Sequence, residues 1–361
     1  MLYHLLYPLI EYFSGFNIFK YITFRTAYAT ITAMLISFVF GSMFIRYLKR
    51  KQVQEKIRED GPKTHFAKEG TPTMGGLLIL ISILVPTLLW ADLTNTYILL
   101  ILFVTVWMGL LGFLDDYLKA VKNQKKGIVA RKKFVGQILL GLILGAILYF
   151  KPPDPMFTTA TGLPFFKNLY LDFGLLYIPF VVVVITGSSN AVNLTDGLDG
   201  LAIGLVGICA LGFAGLSYIT GRVDFTSYLD IEYFKGAGEL TIYCGALVGA
   251  CLGFLWFNSN PAQVFMGDTG ALALGGALGA IALLLKKEII LVIIGGVFVA
   301  EAISVIIQVL YFKLTGKRVF KMAPLHHHFE LCGWPEHKVT VRLWIVGVIF
   351  ALISLSTLKI R

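Results

Sequence analysis

Ten stretches of this chain are each long and apolar enough to cross a lipid bilayer, and this limits its fold more than any other feature. A helix needs about 20 mostly apolar residues to span the hydrocarbon core. The stretches run approximately over 24–45, 75–93, 96–114, 134–150, 173–189, 199–219, 238–257, 266–285, 289–311 and 340–358. Inside lipid every backbone polar group needs an internal partner, and runs of this length find one as helices. The sequence therefore predicts an all-α integral membrane protein: a polytopic bundle of about ten transmembrane helices, forming a single domain over residues 1–361. Residues 1–23 carry aromatics, Pro8 and Gly15, and read as interfacial. Only 14% of the residues are charged, where a soluble chain would have about 25%.

The basic residues set an expected orientation. Arg46, Lys49, Arg50, Lys51, Lys56, Arg58, Lys63 and Lys68 follow the first span. Lys119, Lys122, Lys125, Lys126, Arg131, Lys132 and Lys133 follow the third. Lys313, Lys317, Arg318, Lys321 and Lys338 follow the ninth, with Arg342 just inside the tenth. The other side has Lys20, Arg25, Lys151, Lys167, Arg222, Lys235, Lys286, Lys287, Lys359 and Arg361. The positive-inside rule puts the richer loops in the cytoplasm and both termini in the periplasm. A net charge of +10 could suit nucleic acid, but this clustering accounts for it, and no nucleic-acid partner is expected. The N-terminus lacks a signal-peptide pattern, so the first span is expected to direct insertion. Cys209, Cys244, Cys251 and Cys332 have no metal-ligand spacing.

Two loops on the expected cytoplasmic side, 188–199 and 258–267, contain no Lys or Arg. In the first, Asn190, Asn193, Asp196 and Asp199 recur every third residue, and Gly197 and Gly200 permit unusual backbone angles. Carboxylates beside a membrane are costly unless paired, hydrated or holding a metal. Oxygen-rich side chains suit Mg²⁺ and phosphate; a plain polar turn uses the same residues. In the second loop Asp268 begins the eighth span between Gly267 and Gly270. It reads as a helix cap or as part of a phosphate site. Asn258 and Phe265 offer an amide and a ring to a flat base.

Asp115 and Asp116 close the third span. Adjacent carboxylates repel unless a cation neutralises them, and Lys119 lies one turn on. A solvated helix end with an ion pair explains the same residues. Lys68, Thr71, Thr73, Gly75 and Gly76 lead into the second span and resemble a phosphate cradle without the P-loop pattern. His326, His327 and His328 are consecutive, so their rings point different ways and suit phosphate or sugar better than one metal. Gln308 is a lone polar residue deep in the ninth span, where helix-to-helix hydrogen bonding is the commoner role.

At these residues the chain closely resembles the phospho-N-acetylmuramoyl-pentapeptide-transferase family, a branch of the polyprenyl-phosphate N-acetylaminosugar-phosphate transferase superfamily. Asp115-Asp116 and the 190–199 stretch resemble the superfamily. Ala323-Pro324-Leu325-His326-His327-His328-Phe329-Glu330, with Gly333-Trp334-Pro335-Glu336, resembles this branch. The resemblance implies transfer of phospho-N-acetylmuramoyl-pentapeptide from its UDP conjugate to undecaprenyl phosphate in the bacterial inner membrane, giving lipid I and UMP. It also implies Mg²⁺, a cytoplasmic site and a homodimer among the membrane lipids. By the family pattern Asp268 binds the metal, and Asp115 is the base or, in another scheme, the nucleophile. Asp116 supports metal or substrate beside it. Lys68, Asn193, Asp196, Asp199, Asn258 and Phe265 match nucleotide and phosphate positions. His327 and His328 match the loop at the sugar phosphate, with His327 in the catalytic set. Thr73, Lys119, Lys133, Asn190, Gln308 and His326 complete the expected substrate-binding set. A UDP-N-acetylglucosamine transferase would keep the aspartates but lack this histidine loop. A lipid or nucleotide-sugar transporter is the other reading; the charges gather on one face rather than along a path, which speaks against it.

Overall fold

A computed structural model describes residues 1–53, 68, 70–122, 127–155, 159–166 and 169–359. Of the basic residues counted above, Lys56, Arg58, Lys63, Lys125, Lys126, Lys167 and Arg361 lie outside the described residues.

The apolar runs are helices. The short α1 (Leu2–Leu6) precedes α2 (Ile22–Arg50), α3 (Gly76–Trp90), α4 (Thr96–Asp116) and α5 (Ala130–Phe150). A small hairpin of β1 (Ala160–Gly162) and β2 (Tyr170–Asp172) pairs antiparallel, Ala160 opposite Asp172. Then come α6 (Tyr177–Thr195), α7 (Leu201–Thr220), α8 (Val223–Leu229), α9 (Leu240–Asn258), α10 (Gly267–Leu284), α11 (Glu288–Ile294), α12 (Gly296–Thr315), α13 (Leu325–Leu331) and α14 (Glu336–Ser356). Among the described residues nine helices are long and apolar enough to cross a membrane. The expected second span is the 15-residue α3, which carries Pro86 in its interior. The expected ninth span is broken into α11 and α12 at Gly295. Beside the break, a Cβ at Gly296 would stand 2.8 Å from the Phe350 ring of α14.

Helix α10 is the axis. Every residue from Asp268 to Leu284 is buried. Its Gly- and Ala-rich sequence removes the side chains that would hold neighbours away, as small residues do in membrane helices. A Cβ at Gly275 would stand 2.6 Å from the Ser188 carbonyl oxygen of α6, and one at Gly76 of α3 only 2.1 Å from the Gly270 nitrogen. The outer helices differ. On α12, Ile303, Ile306, Leu310 and Leu314 are exposed, as are Ile345, Ile349 and Leu352 on α14. Apolar exposure on this scale fits a surface solvated by acyl chains.

The N-termini of α10 and α3 and the C-termini of α4, α6 and α9 share one end of the bundle. The opposite end is tied by buried charge. Arg25 of α2 donates to both carboxylate oxygens of Glu239 at 2.8 and 2.6 Å. Lys287, after α10, pairs with Glu232 at 3.1 Å, and the Tyr170 hydroxyl donates to Glu232 at 2.7 Å, which fastens the hairpin. The Met1 amino group bonds the Leu88 carbonyl at this end, and Lys359 bonds the Tyr228 carbonyl. Both chain ends therefore lie opposite Asp268.

Burial alone would raise the Glu232 carboxyl, but Lys287 and Tyr170 hold it down at about 2. Its charged form is thus favoured by folding. That stability is complete above the ordinary glutamate value and drains away between about pH 4.5 and 2. Glu232→Gln should lower stability by about 3 kcal/mol at neutral pH by stranding the buried Lys287. It should also flatten the acid limb of thermal unfolding in detergent; an unchanged acid limb would contradict the pairing.

Candidate active site

The site begins where α4 meets the first turn of α10. Gly112 lets the helices touch: a Cβ there would stand 2.3 Å from the Asp268 carbonyl oxygen. One turn on, the adjacent aspartates point to different partners. Asp116 faces the end of α10. It accepts the Asp268 N–H at 3.0 Å, the Thr269 N–H at 2.8 Å and the Thr269 hydroxyl at 2.5 Å. These are first-turn donors that a helix cannot satisfy from within. Asp116 thus caps α10, with both of its carboxylate oxygens engaged.

Asp115 faces away from the cap. Its Oδ1 accepts the Ile128 N–H at 2.6 Å. Helix α4 passes into a wider π-helical turn, Tyr117–Val121, a distortion common at functional sites. This turn carries Lys119, whose Nζ lies 2.9 Å from Asp115 and 2.6 Å from Asp268. Lys133, from the first turns of α5, reaches the same two oxygens at 3.4 and 3.2 Å. Two carboxylates and two ammoniums thus interlock. Among the described residues no three His, Cys, Asp or Glu side chains are arranged to hold one ion. The metal-capable donors are Asp115 and Asp268, with a cationic group already bridging them.

A second cluster adjoins the first. Gly267, at φ +74°, turns the chain into α10, where a Cβ would stand 2.7 Å from Asp116 and 3.1 Å from the Thr73 hydroxyl. The backbone of 72–76 zips against 265–266: the Phe265 N–H donates to Pro72, Gly75 to Phe265 and Gly76 to Met266. Phe265 is half-buried beside this seam. Lys68 donates to Asp199 at 2.7 Å and to Glu336 at 2.5 Å. The other Asp199 oxygen accepts from Asn260 and Ala262 at 3.1 and 3.0 Å. Glu336 also accepts the Asp199 N–H, 137 positions away, so no spacing rule brings it here.

Several expected binding residues hydrogen-bond within the protein. Asn258 is buried, accepts the Gly200 N–H and donates to the Val264 carbonyl, so its amide pins two loops together. Asn190 exchanges hydrogen bonds with Gln137 of α5 and donates to Thr186. Gln308 accepts the Val319 and Phe320 N–H groups and donates to the Phe320 carbonyl. It anchors a loop rather than a neighbouring helix. Asn193 and Asp196 close α6 at the same end, each half-buried.

The three histidines point three ways, as consecutive residues must. His326 is fully buried on α13, with Nδ1 3.2 Å from Glu301 of α12 and its ring against Gly197. His327 contacts Glu330 at 2.8 Å. His328 accepts the Lys321 N–H at 3.2 Å. His326 thus links the 196–200 turn to the histidine helix, and the predicted residues share one end of the bundle.

The chain matches the profile of Glycosyl transferase family 4 over residues 98–286. It matches Phospho-N-acetylmuramoyl-pentapeptide-transferase signature 1 over residues 68–80. It is 56% identical to the phospho-N-acetylmuramoyl-pentapeptide-transferase of Thermodesulfovibrio yellowstonii, 57% to that of Desulforapulum autotrophicum and 52% to that of Endomicrobium trichonymphae, each over the full length of both chains. The chain belongs to the phospho-N-acetylmuramoyl-pentapeptide-transferase family.

In this transferase the signature stretch is the strand of backbone that carries Lys68 to Asp199 and Gly76 to α10. The broader profile runs from α4 to just past α10, and so takes in the interlocked aspartates but neither Glu336 nor the histidine helix. Asp116→Ala should cost about 1–2 kcal/mol or more, because two buried N–H groups lose their acceptor. Asp268→Ala, which leaves the cap in place, should cost less. Thermal unfolding of both variants in the same detergent checks the order; equal stability would remove Asp116 from its capping role.

Proposed function

We infer that this multi-pass protein of the bacterial inner membrane transfers phospho-N-acetylmuramoyl-pentapeptide from its UDP conjugate to undecaprenyl phosphate. The products are UMP and lipid I, in the first membrane step of peptidoglycan synthesis. The observation that carries the reading is the interlocked set of Asp115, Asp268, Lys119 and Lys133 at one helix end, in a chain alike end to end to relatives bearing this name.

The chemistry asks for little covalent help. The acceptor is a phosphate monoester whose second pKa is near 6, so it is largely a dianion at neutral pH. Its oxygen attacks the sugar-linked phosphorus of the donor diphosphate, and the bond to UMP breaks. The obstacle is charge, since two anions must meet at a membrane edge. Lys119 and Lys133 lie where they can neutralise both partners, and preorganised charge of this kind is the main tool of phosphoryl transfer. Asp115 takes the remaining proton when the acceptor arrives as a monoanion. Asp116 acts indirectly, by fixing the first turn of α10 and hence Asp268. Lys68, Asn193, Asp196, Asp199 and Phe265 form the proposed nucleotide side, and His327 and His328 the sugar-phosphate side. Asn258, Asn190, Gln308 and His326 keep the scaffold in place.

Mg²⁺ is the proposed cofactor, held by Asp268 and Asp115. The fit rests on the donors: two carboxylates approach closely enough for a single ammonium to bridge them at 2.9 and 2.6 Å. An all-oxygen pair suits an ion that binds through one or two carboxylates and completes its shell with water and substrate phosphate. When bound, the ion would offset the charge developing on the bridging and leaving phosphate oxygens. A homodimer belongs to the proposal by family resemblance.

With purified protein in detergent, UMP release should require the muramoyl-pentapeptide donor, undecaprenyl phosphate and Mg²⁺ together. Asp268→Ala should lower that rate by at least about 10²-fold, the cost of losing one essential electrostatic contact. Full activity in that variant would refute the assignment. Without acceptor lipid, no labelled sugar phosphate should stay on the protein; an adduct on Asp115 would replace the direct route with a two-step one.

A further inference from the structure

Helix α2 has a second, unused surface. Its inner stripe, Ala29, Ala33, Ser37, Gly41, Ile45 and Leu48, is buried in the bundle. Its outer stripe, with Leu78 and Ile81 of α3, forms an open groove of about 430 Å³ lined by Phe40, Met43, Phe44 and Tyr47. A second hollow of about 510 Å³, lined by Met43, Arg46, Tyr47 and Arg50, shares Met43 and Tyr47 with the first. The two therefore adjoin: an apolar trough beside two guanidinium groups one helical turn apart.

The length of α2 sets the depth of each part. Its 29 residues extend roughly 43 Å at about 1.5 Å per residue, against a hydrocarbon core of about 30 Å. The last turns therefore project into the headgroup layer while the trough stays among acyl chains. The excess of Lys and Arg assigns that layer to the cytoplasmic leaflet, where anionic lipids concentrate.

Charge selects the occupant. Arg25 is held by Glu239, Arg222 by Asp224, and Arg342 lies over the Trp334 ring. Arg46, Arg50, Arg131 and Arg318 are exposed and make no hydrogen bond, ion pair or ring contact among the described residues; of these, Arg46 and Arg50 line the hollow on α2. Guanidinium pairs bind phosphate oxygens in a fixed fork geometry. We propose that this end of α2 binds an acidic glycerophospholipid of the surrounding bilayer, with an acyl chain in the α2–α3 trough and its phosphate on Arg46 and Arg50. The site is separate from the transferase centre: neither arginine belongs to the Asp115–Asp268 cluster, so the bound phosphate is a resident ligand and not an acceptor.

The test is native mass spectrometry of the delipidated full-length protein, titrated with phosphatidylglycerol or phosphatidylcholine. The intact protein should take up its first phosphatidylglycerol at several-fold lower lipid concentration than phosphatidylcholine. R46A/R50A should lower phosphatidylglycerol binding at least 5-fold and erase the preference, whereas R46K/R50K should keep the preference in weakened form. Ile81→Trp, which fills the trough and spares both arginines, should lower occupancy as well. UMP release by each variant shows that it is folded. Equal binding of the two lipids by the intact protein, or an undiminished preference in R46A/R50A, overturns the proposal. So does undiminished occupancy in Ile81→Trp. Retention of the phosphatidylglycerol adduct when undecaprenyl phosphate is added supports the assignment, and stoichiometric displacement overturns it by giving the trough to the acceptor.

Discussion

A helix with no exposed face must satisfy its first turn inside the protein. Helix α10 is that helix: every side chain from Asp268 to Leu284 is buried, and its opening N–H groups meet neither water nor lipid. Asp116 supplies the acceptors from the end of α4. That contact sets the height of α10 against α4, and the height places Asp268 beside Asp115. Gly112 and Gly76 allow the close approach, since a Cβ at either would meet α10 backbone. The two carboxylates of the doublet therefore part company: Asp116 builds the end of the bundle and Asp115 faces Lys119 and Lys133.

The bundle was legible because lipid leaves a chain few options. Apolar runs of the right length must be helices there, and their bounds in the structure fall close to those of the runs. What escaped depended on single contacts. Beside the break at Gly295, Gly296 packs on Phe350, a residue of another helix. Asp116 meets its partners 152 and 153 positions away, and no local pattern announces them. Polar residues were the hardest to read. Asn258, Asn190 and Gln308 look like ligands by type, yet each uses its amide on the protein itself. An amide in an apolar setting needs partners in any case, so its presence does not distinguish a scaffold from a site. Carboxylates were easier to place because charge near lipid demands compensation, and the compensating lysines lie in the same loops.

The site draws on elements scattered along the chain. Lys68 lies at the entry to α3, Asp199 at the start of α7 and Glu336 at the start of α14, and they meet in one hydrogen-bonded group. His326 and Glu301 tie the histidine helix to the same turn through Gly197. The loops at this end are thus fastened to each other as well as to the helices. Such fastening suits a pocket that must discriminate a large anionic donor while open to lipid at its side.

The bridging lysines have an electrical consequence. Asp115 and Asp268 bring two negative charges to a poorly solvated place, and Lys119 and Lys133 bring two positive ones, so the resting pocket sums to zero. The diphosphate of a sugar nucleotide is opposite in sign to the two ammoniums. The ammoniums of Lys119 and Lys133 lie where the charge of an incoming phosphate can be met at the membrane edge.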